Sequence, residues 1–218
     1  MQLLEKLFGI LLDSKLNFDS HITSLCKKAG QKLSALARIN HCLTQDQKLL
    51  LLNSVVKSQF SYCPLIWMFT SRYLNNALNS IHERALRLIY NDYELPFYRL
   101  EDNKQKSIHQ KNIESLAIEI YKFQGGLAPP IMSDLFITRE NNYNLRNFQE
   151  LESSLRRTVK FGTETISYRG PQIWNLIPER IRTLETLNKF QKEIKSWKCD
   201  ACPCRMSKTY IQRVGFIN

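Results

Sequence analysis

The sequence predicts a mainly α protein: a helical bundle, then a mostly helical region with one small β-hairpin, the whole preceded by a short strand. Three observations carry this reading. Apolar residues recur at helical spacing in three long segments, Ser or Thr with Gln three positions on precedes two helical segments, and only 7 Gly and 7 Pro punctuate 218 residues.

Taken in order, residues 7–13 form an apolar run too short for a helix and bracketed by polar residues, which reads as one strand without sheet partners. Asp19 or Ser20 then caps a helix whose Ile22, Leu25, Ala29, Leu33, Leu36 and Ile39 share one face, with Lys27, Lys28, Lys32 and Arg38 assigned to the other. Thr44 and Gln47 make a capping box for a second helix through residues 50–56. Ser71 caps a third, bearing Leu74, Leu78, Ile81, Ala85, Leu88 and Ile89. Three helices on short connections make a bundle.

Residues 91–103, with Pro96, break the pattern and mark the boundary between regions. Ser107 and Gln110 form another capping box ahead of Ile113, Leu116, Ala117, Ile120 and Phe123, and Gly125-Gly126 stops that helix. Pro129-Pro130 starts a short helix through Leu135, and the Asn-rich residues 140–147 read as a loop. Residues 158–168 alternate around Gly162 and Thr163 as a hairpin, after which Thr183 caps a helix through Leu187, Phe190, Ile194 and Trp197. The expected organisation is 1–19 strand remnant, 20–92 bundle, 93–198 helical region with hairpin, and 199–218 cysteine-containing basic tail.

With 43% hydrophobic and 11% aromatic residues the chain is too apolar for disorder. Its 31 Lys+Arg against 20 Asp+Glu leave a formal +11, which points to a polyanionic partner, most commonly nucleic acid, or to a merely solvated basic surface. No run approaches the roughly 18 apolar residues of a membrane span, and no secretory leader is expected at the N-terminus. Cys26, Cys42 and Cys63 are scattered in helical patterns, which favours reduced thiols in a nuclear or cytoplasmic setting over a disulfide framework.

Three motifs bear on chemistry. The cations of the first helix, Lys27, Lys28, Lys32 and Arg38, are candidates for phosphate contacts or an ordinary solvated face. The run Ser167-Tyr168-Arg169-Gly170-Pro171-Gln172-Ile173-Trp174-Asn175-Leu176-Ile177-Pro178 reads as an architectural corner. In it Gly170 makes the turn, Pro171 opens a helix and Trp174 anchors the junction, while Arg169 reaches a phosphate or a buried carboxylate. Cys199, Cys202 and Cys204 have metal-like spacing but are three thiols where structural zinc normally takes four ligands. The choices are a fourth ligand from elsewhere, such as a histidine, a degenerate knuckle, or an unmetallated basic tail, which is the default, with no cofactor. Asp13, Asp19, Asp46, Asp92, Asp102, Asp134 and Asp200 are dispersed, with no adjacent pair for two metal ions. His21, His41, His82 and His109 lie in helical surroundings without a nucleophile elbow.

The run from Ser167 to Pro178, together with Gly126-Leu127-Ala128-Pro129-Pro130-Ile131-Met132-Ser133-Asp134-Leu135-Phe136 and Leu7-Phe8-Gly9-Ile10-Leu11-Leu12-Asp13, resembles the region after the polymerase core in LINE-type (non-LTR, jockey-like) retrotransposon reverse transcriptases. The resemblance covers nearly the whole chain. It implies that residues 20–92 are a thumb-like bundle resting along the template and primer duplex, and that the family's Tyr-X-Asp-Asp loop and palm precede this sequence. The chain is then expected to bind RNA or RNA/DNA hybrid through phosphates, without sequence preference and without polymerase activity. Lys27, Lys28, Lys32 and Arg38 would be the main contacts, with Arg84 and Arg87 secondary. Related proteins continue Cys-Pro-Cys-Arg-X-Cys-Lys where this chain has Cys202-Pro203-Cys204-Arg205-Met206-Ser207-Lys208, so Ser207 replaces a thiol. The alternatives are a retroelement-derived interaction or scaffold domain, and a non-functional relic.

Overall fold

Residues 4–91, 106–130, 135–138, 150–153, 158, 162–199 and 202–203 are described by the computed structural model. They are mainly helical, as expected, with two small antiparallel strand pairs. Two compact units divide between Ile108 and His109. The predicted boundary at 91–103 lies outside the described residues apart from Asn91, which ends a helix in the left-handed conformation at φ 49°.

In the first unit the apolar run at 7–13 is not one strand. β1 (Leu4–Leu7) and β2 (Ile10–Asp13) pair with Leu7 opposite Ile10, so that run spans a hairpin and has its own partner. Phe8 and Gly9 form the turn, both at positive φ (46° and 85°), the requirement of a two-residue type I′ connection. Period-2 reasoning missed it because Phe8 takes a conformation rarely adopted by a bulky residue. The Tyr62 hydroxyl donates to Phe8 O at 2.7 Å and ties the turn down. The Asp13 carboxylate accepts from the backbone amides of Lys15 and Asn17 at 2.9 and 3.0 Å, closing the exit from the hairpin.

α1 (Asp19–Arg38) buries Ile22, Leu25, Ala29, Leu33 and Leu36, while Ile39 falls just past its end and is exposed. Neither predicted cap holds that position. Phe18 does, in the left-handed region and without a side-chain cap bond, so that Asp19 becomes the first helical residue, where its charge favours the helix dipole. α2 (Gln45–Leu51) does begin with the Thr44–Gln47 capping box, both reciprocal bonds being present. It runs on as π-helical Leu52–Val56 and 3-10 Lys57–Phe60, then α3 (Pro64–Trp67) and α4 (Arg72–Tyr90), with Ser71 at the N-cap position. Leu52, Val56, Phe60, Trp67, Leu74, Leu78, Ile81, Ala85, Leu86 and Ile89 join the face of α1 in one core.

In the second unit α5 (Ile108–Gln124) buries Ile113, Leu116, Ala117 and Ile120. It ends as predicted at Gly125-Gly126. Gly126 has φ 68°, its amide donates to Phe123 O, and the Leu127 amide donates to Lys122 O at 2.8 Å, the paired bonds of a Schellman stop. Residues 131–134 and 140–147, read as the body of a short helix and as a loop, lie outside the described residues.

The small hairpin is placed differently from expectation. The strand pair is β3 (Ile137–Thr138) with β4 (Leu151–Glu152), whereas the described part of 158–168 holds a π-turn at Gly162 and Thr163 and the start of α6 (Ile166–Leu176). The corner is therefore a helix. Pro171 sits inside α6 rather than at its start, and Gly170 has no turn to make. Its lack of a side chain answers a close approach: a Cβ there would stand 2.8 Å from Cε1 of Phe136, itself buried. Trp174 is fully buried, 5.9 Å from the ring of Phe190, which stacks on Tyr121 at 4.3 Å. Pro178 caps α7 (Glu179–Arg182), and Thr183 closes that short helix instead of opening the next. α8 (Leu187–Ser196) starts after Thr186 and buries Phe190 and Ile194.

The glycines give opposite expectations for one substitution. Gly170→Ala drives a methyl into the Phe136 ring and should cost about 1–3 kcal/mol. Gly30→Ala, in the interior of α1 with nothing within 4 Å of the added carbon, should gain about 0.5–1 kcal/mol. Chemical denaturation of each variant checks the pair, and equal effects would contradict the close packing at Gly170.

Candidate functional site

The cations of α1 are set by the same periodicity as its core. Lys27, Lys28 and Arg38 are exposed, but Lys32 is half-buried. They do not form a single row opposite the apolar face. At about 100° per residue, Lys27 and Arg38 share one side some 16 Å apart, while Lys28 and Lys32 lie one turn apart on the flank beside Leu25. The sequence reading grouped all four because it asked only which positions were not apolar. On α4, Arg84 is exposed, whereas Arg87 is half-buried and donates through Nε and Nη2 to Glu83 Oε1 at 3.1 and 2.7 Å. A guanidinium already held by a carboxylate offers less to a phosphate, so Arg87 is the weakest of the six candidates.

His21 lies on the Lys28 side of α1 and was expected to have a surface or core role. It is buried, its Nδ1 accepts from the Leu11 amide of β2 at 3.4 Å, and its Nε2 is enclosed without a hydrogen-bond partner. Burial first, and then the nearby Lys28 charge, push the imidazole below its ordinary pKa. The ring is thus a neutral link between hairpin and helix.

In the second unit the sequence-predicted signature is internal framework. Arg169 Nη2 pairs with Glu164 at 3.0 Å, both side chains 14% exposed, while Nη1 donates to Gln172 Oε1 at 3.1 Å and Pro203 O at 3.2 Å. Its guanidinium also lies 5.5 Å from the centroid of the Tyr168 ring. Of its two predicted targets Arg169 accordingly reaches a carboxylate, one that is partly rather than fully buried. Asn175 acts as a strand end: Nδ2 donates to Leu151 O at 2.9 Å and Oδ1 accepts from Leu151 N at 3.1 Å.

Arg169 also leads to the cysteines. Cys202 is buried with Sγ 3.6 Å from Nε2 of His109, and Cys199 is half-buried with its amide donating to Gln110 Oε1 at 3.2 Å. Gln110 Nε2 donates to Trp197 O at 2.9 Å. Adjacent residues of α5 thus hold the chain that carries the thiols. Sequence reasoning offered a histidine as a partner for the thiols without singling out His109, and gave Gln110 only a capping role. Cys204 lies outside the described residues, and among those described no three His, Cys, Asp or Glu side chains are gathered as a metal group. Cys26 is remote in kind: burial pushes its thiol up to about 11, which keeps it protonated at neutral pH.

Fold and site together define a mainly helical protein with exposed cations on its first long helix and a thiol–imidazole pair in its second unit. Among the described residues no helix is long and apolar enough to cross a membrane. No family model, curated protein or solved structure matches the chain.

The His21 link has a pH signature. Its folded pKa lies below the unfolded value of about 6.5, so acid protonates the unfolded chain first. The stabilisation is present above that value and is lost as pH falls through it. Amide exchange at Leu11 should accelerate between about pH 7 and pH 5 relative to His21→Asn, which keeps an acceptor but does not titrate there. Parallel pH profiles in the two proteins would remove His21 as the cause.

Proposed function

We propose that this chain is the thumb and post-polymerase part of a LINE-type reverse transcriptase, and that it binds RNA or RNA/DNA duplex through phosphates. The observation that carries the reading is α1: one face buried in the core, with Lys27, Lys28 and Arg38 left exposed on a chain of net charge +11. A helix anchored in this way holds its charges at fixed spacing, which suits a regular polyanion. Contacts of this kind position a duplex without reading its sequence. The retroelement signature adds support through the residues quoted for it, and Arg84 extends the basic surface to α4.

A second reading rests on a different observation. Phe8 is 83% exposed and Tyr73 79%, with Leu7 and Leu16 also exposed beside the hairpin. Apolar surface of this kind suits a protein partner, such as a polymerase palm carried elsewhere, or self-association.

Lys27→Ala with Lys28→Ala, both exposed on α1, should weaken binding equally across RNA sequences and lower the slope of log affinity against log salt by about two units. A salt titration on a structured RNA and on a hybrid duplex reads this directly. Unchanged affinity and slope would make these exposed lysines solvated surface and move the lead to the protein-interaction reading.

The Tyr-X-Asp-Asp motif does not occur in the 218 residues. Primer extension on an RNA template with magnesium and dNTPs should therefore equal the blank. Synthesis that survives purification and is lost on mutation within this chain would overturn the assignment to the non-catalytic part.

A further inference from the structure

α8 carries its charges differently from α1. At about 100° per residue, Lys192 projects directly away from the midpoint of the buried Phe190 and Ile194, and Lys189 and Lys195 stand about 60° to either side of it. Asn188 and Ser196 fall between the lysines. All of these residues are exposed, and Glu193 lies outside their arc, on the flank beyond Lys189. The outward side of the helix is thus a row of cations within about 9 Å of axis, with no acid among them. Lys198 continues the three-residue spacing past the helix end. It is exposed, and its backbone is held between Trp197 and Cys199, whose carbonyl and amide both bond to Gln110 of α5.

Helix stability does not account for these cations. Lys189 stands in the first turn, where a positive charge opposes the helix dipole. Glu193 follows it by four residues in the less favourable order for an ion pair, and among the described residues neither Lys189 nor Lys192 is engaged by a carboxylate. Elsewhere in this unit such pairs are made, Lys122 with Glu119 at 2.7 Å and Arg169 with Glu164 at 3.0 Å.

The rest of the helix selects among polyanions. Its apolar side is occupied by the core, so it has nothing to insert into a lipid surface. No exposed residue of α8 is aromatic or aliphatic, so it offers neither the anchor of a specific protein interface nor a platform for unpaired bases. Ammonium groups interleaved with an amide and a hydroxyl match a row of phosphates, which recur about every 3.4 Å of axis along one strand of a duplex.

We propose that the outward face of α8, Lys189, Lys192 and Lys195 with Lys198 beyond it, is a second nucleic-acid contact that takes the phosphate backbone of duplex RNA. It belongs to the second unit and rests neither on α1 nor on the retroelement resemblance.

The test uses the full chain and a short RNA duplex of mixed sequence. Lys189→Ala with Lys192→Ala should weaken binding and lower the slope of log affinity against log salt by about two units, both in the native chain and in one already carrying Lys27→Ala and Lys28→Ala. Lys189→Arg with Lys192→Arg should keep affinity and slope. Glu193→Gln, which removes the carboxylate bordering the row, should tighten binding by about twofold or more. Circular dichroism should be the same for every variant, since each substituted side chain faces solvent. Absence of duplex binding, or unchanged affinity and slope in the α8 alanine pair, overturns the proposal whatever α1 does. A loss in that pair with no effect of Lys27→Ala and Lys28→Ala upholds it and removes the α1 reading instead. Phosphatidylserine vesicles and poly-glutamate are the competing polyanions: binding of either as tight as that of the duplex, and lost in the same alanine pair, overturns the choice of nucleic acid.

Discussion

The first unit depends on the burial of one face of α1. Ile22 and Ala29 have no exposed surface, and Leu33 and Leu36 have almost none, so the helix can neither rotate nor shift by a residue without exposing them. That constraint decides the rest. Fixing the apolar face fixes the outward positions of Lys27 and Arg38. It also places His21 against Leu11, so that the hairpin is attached to the helix through a neutral ring rather than an ion pair. The positions from which the charges on α1 project are therefore consequences of its packing, fixed by the core beneath them while the exposed side chains stay free to turn.

The second unit solves a different problem, the joining of a weak two-residue strand pair to helices. Two residues of ladder supply few hydrogen bonds, and such a pair is marginal alone. Asn175 supplements it by bonding both backbone groups of Leu151, which extends the ladder from a helix side chain. Phe136, immediately before β3, lies against Gly170 and brings the strand within reach of α6. The same few residues that make the sequence run from Ser167 to Pro178 conspicuous, Gly170, Trp174 and Asn175, are those with a packing duty that only their side chains, or the lack of one, fulfil.

Periodicity made the helices legible, since α1, α4 and α5 bury most of the positions that 3.6-residue spacing selects, although Ile39 is exposed, Leu88 and Phe123 are half-buried, and Leu86 is buried in addition. Capping chemistry was legible where it is local, at Thr44 and at Gly126. The errors have physical causes. The N-terminal hairpin was hidden by a phenylalanine in a turn conformation that favours glycine or asparagine. Thr183 and Thr186 are both competent caps three residues apart, and sequence alone does not say which carbonyls lie within reach. Gly170-Pro171 was read as a break because each residue weakens a helix, whereas inside α6 a tertiary contact with Phe136 outweighs propensity.

Sites are less legible than elements because their residues meet across long stretches of chain. His109 and Cys202 are 93 positions apart, and Gln110 and Trp197 are 87. No pattern within a single helix reports such pairs. Gln110 illustrates the difficulty: its position three residues after Ser107 invites a capping role, whereas its amide grips the backbone at Trp197 and Cys199. A residue whose local chemistry is already explained draws no further attention, and a second duty leaves no trace in spacing. The α1 cations show the converse. They were conspicuous in sequence because charge needs no partner to be noticed, but their division into two sides, with Lys32 against the apolar flank, follows only from the angle at which the helix is seated. Composition identifies which charges exist, and packing decides which of them a polyanion can reach together.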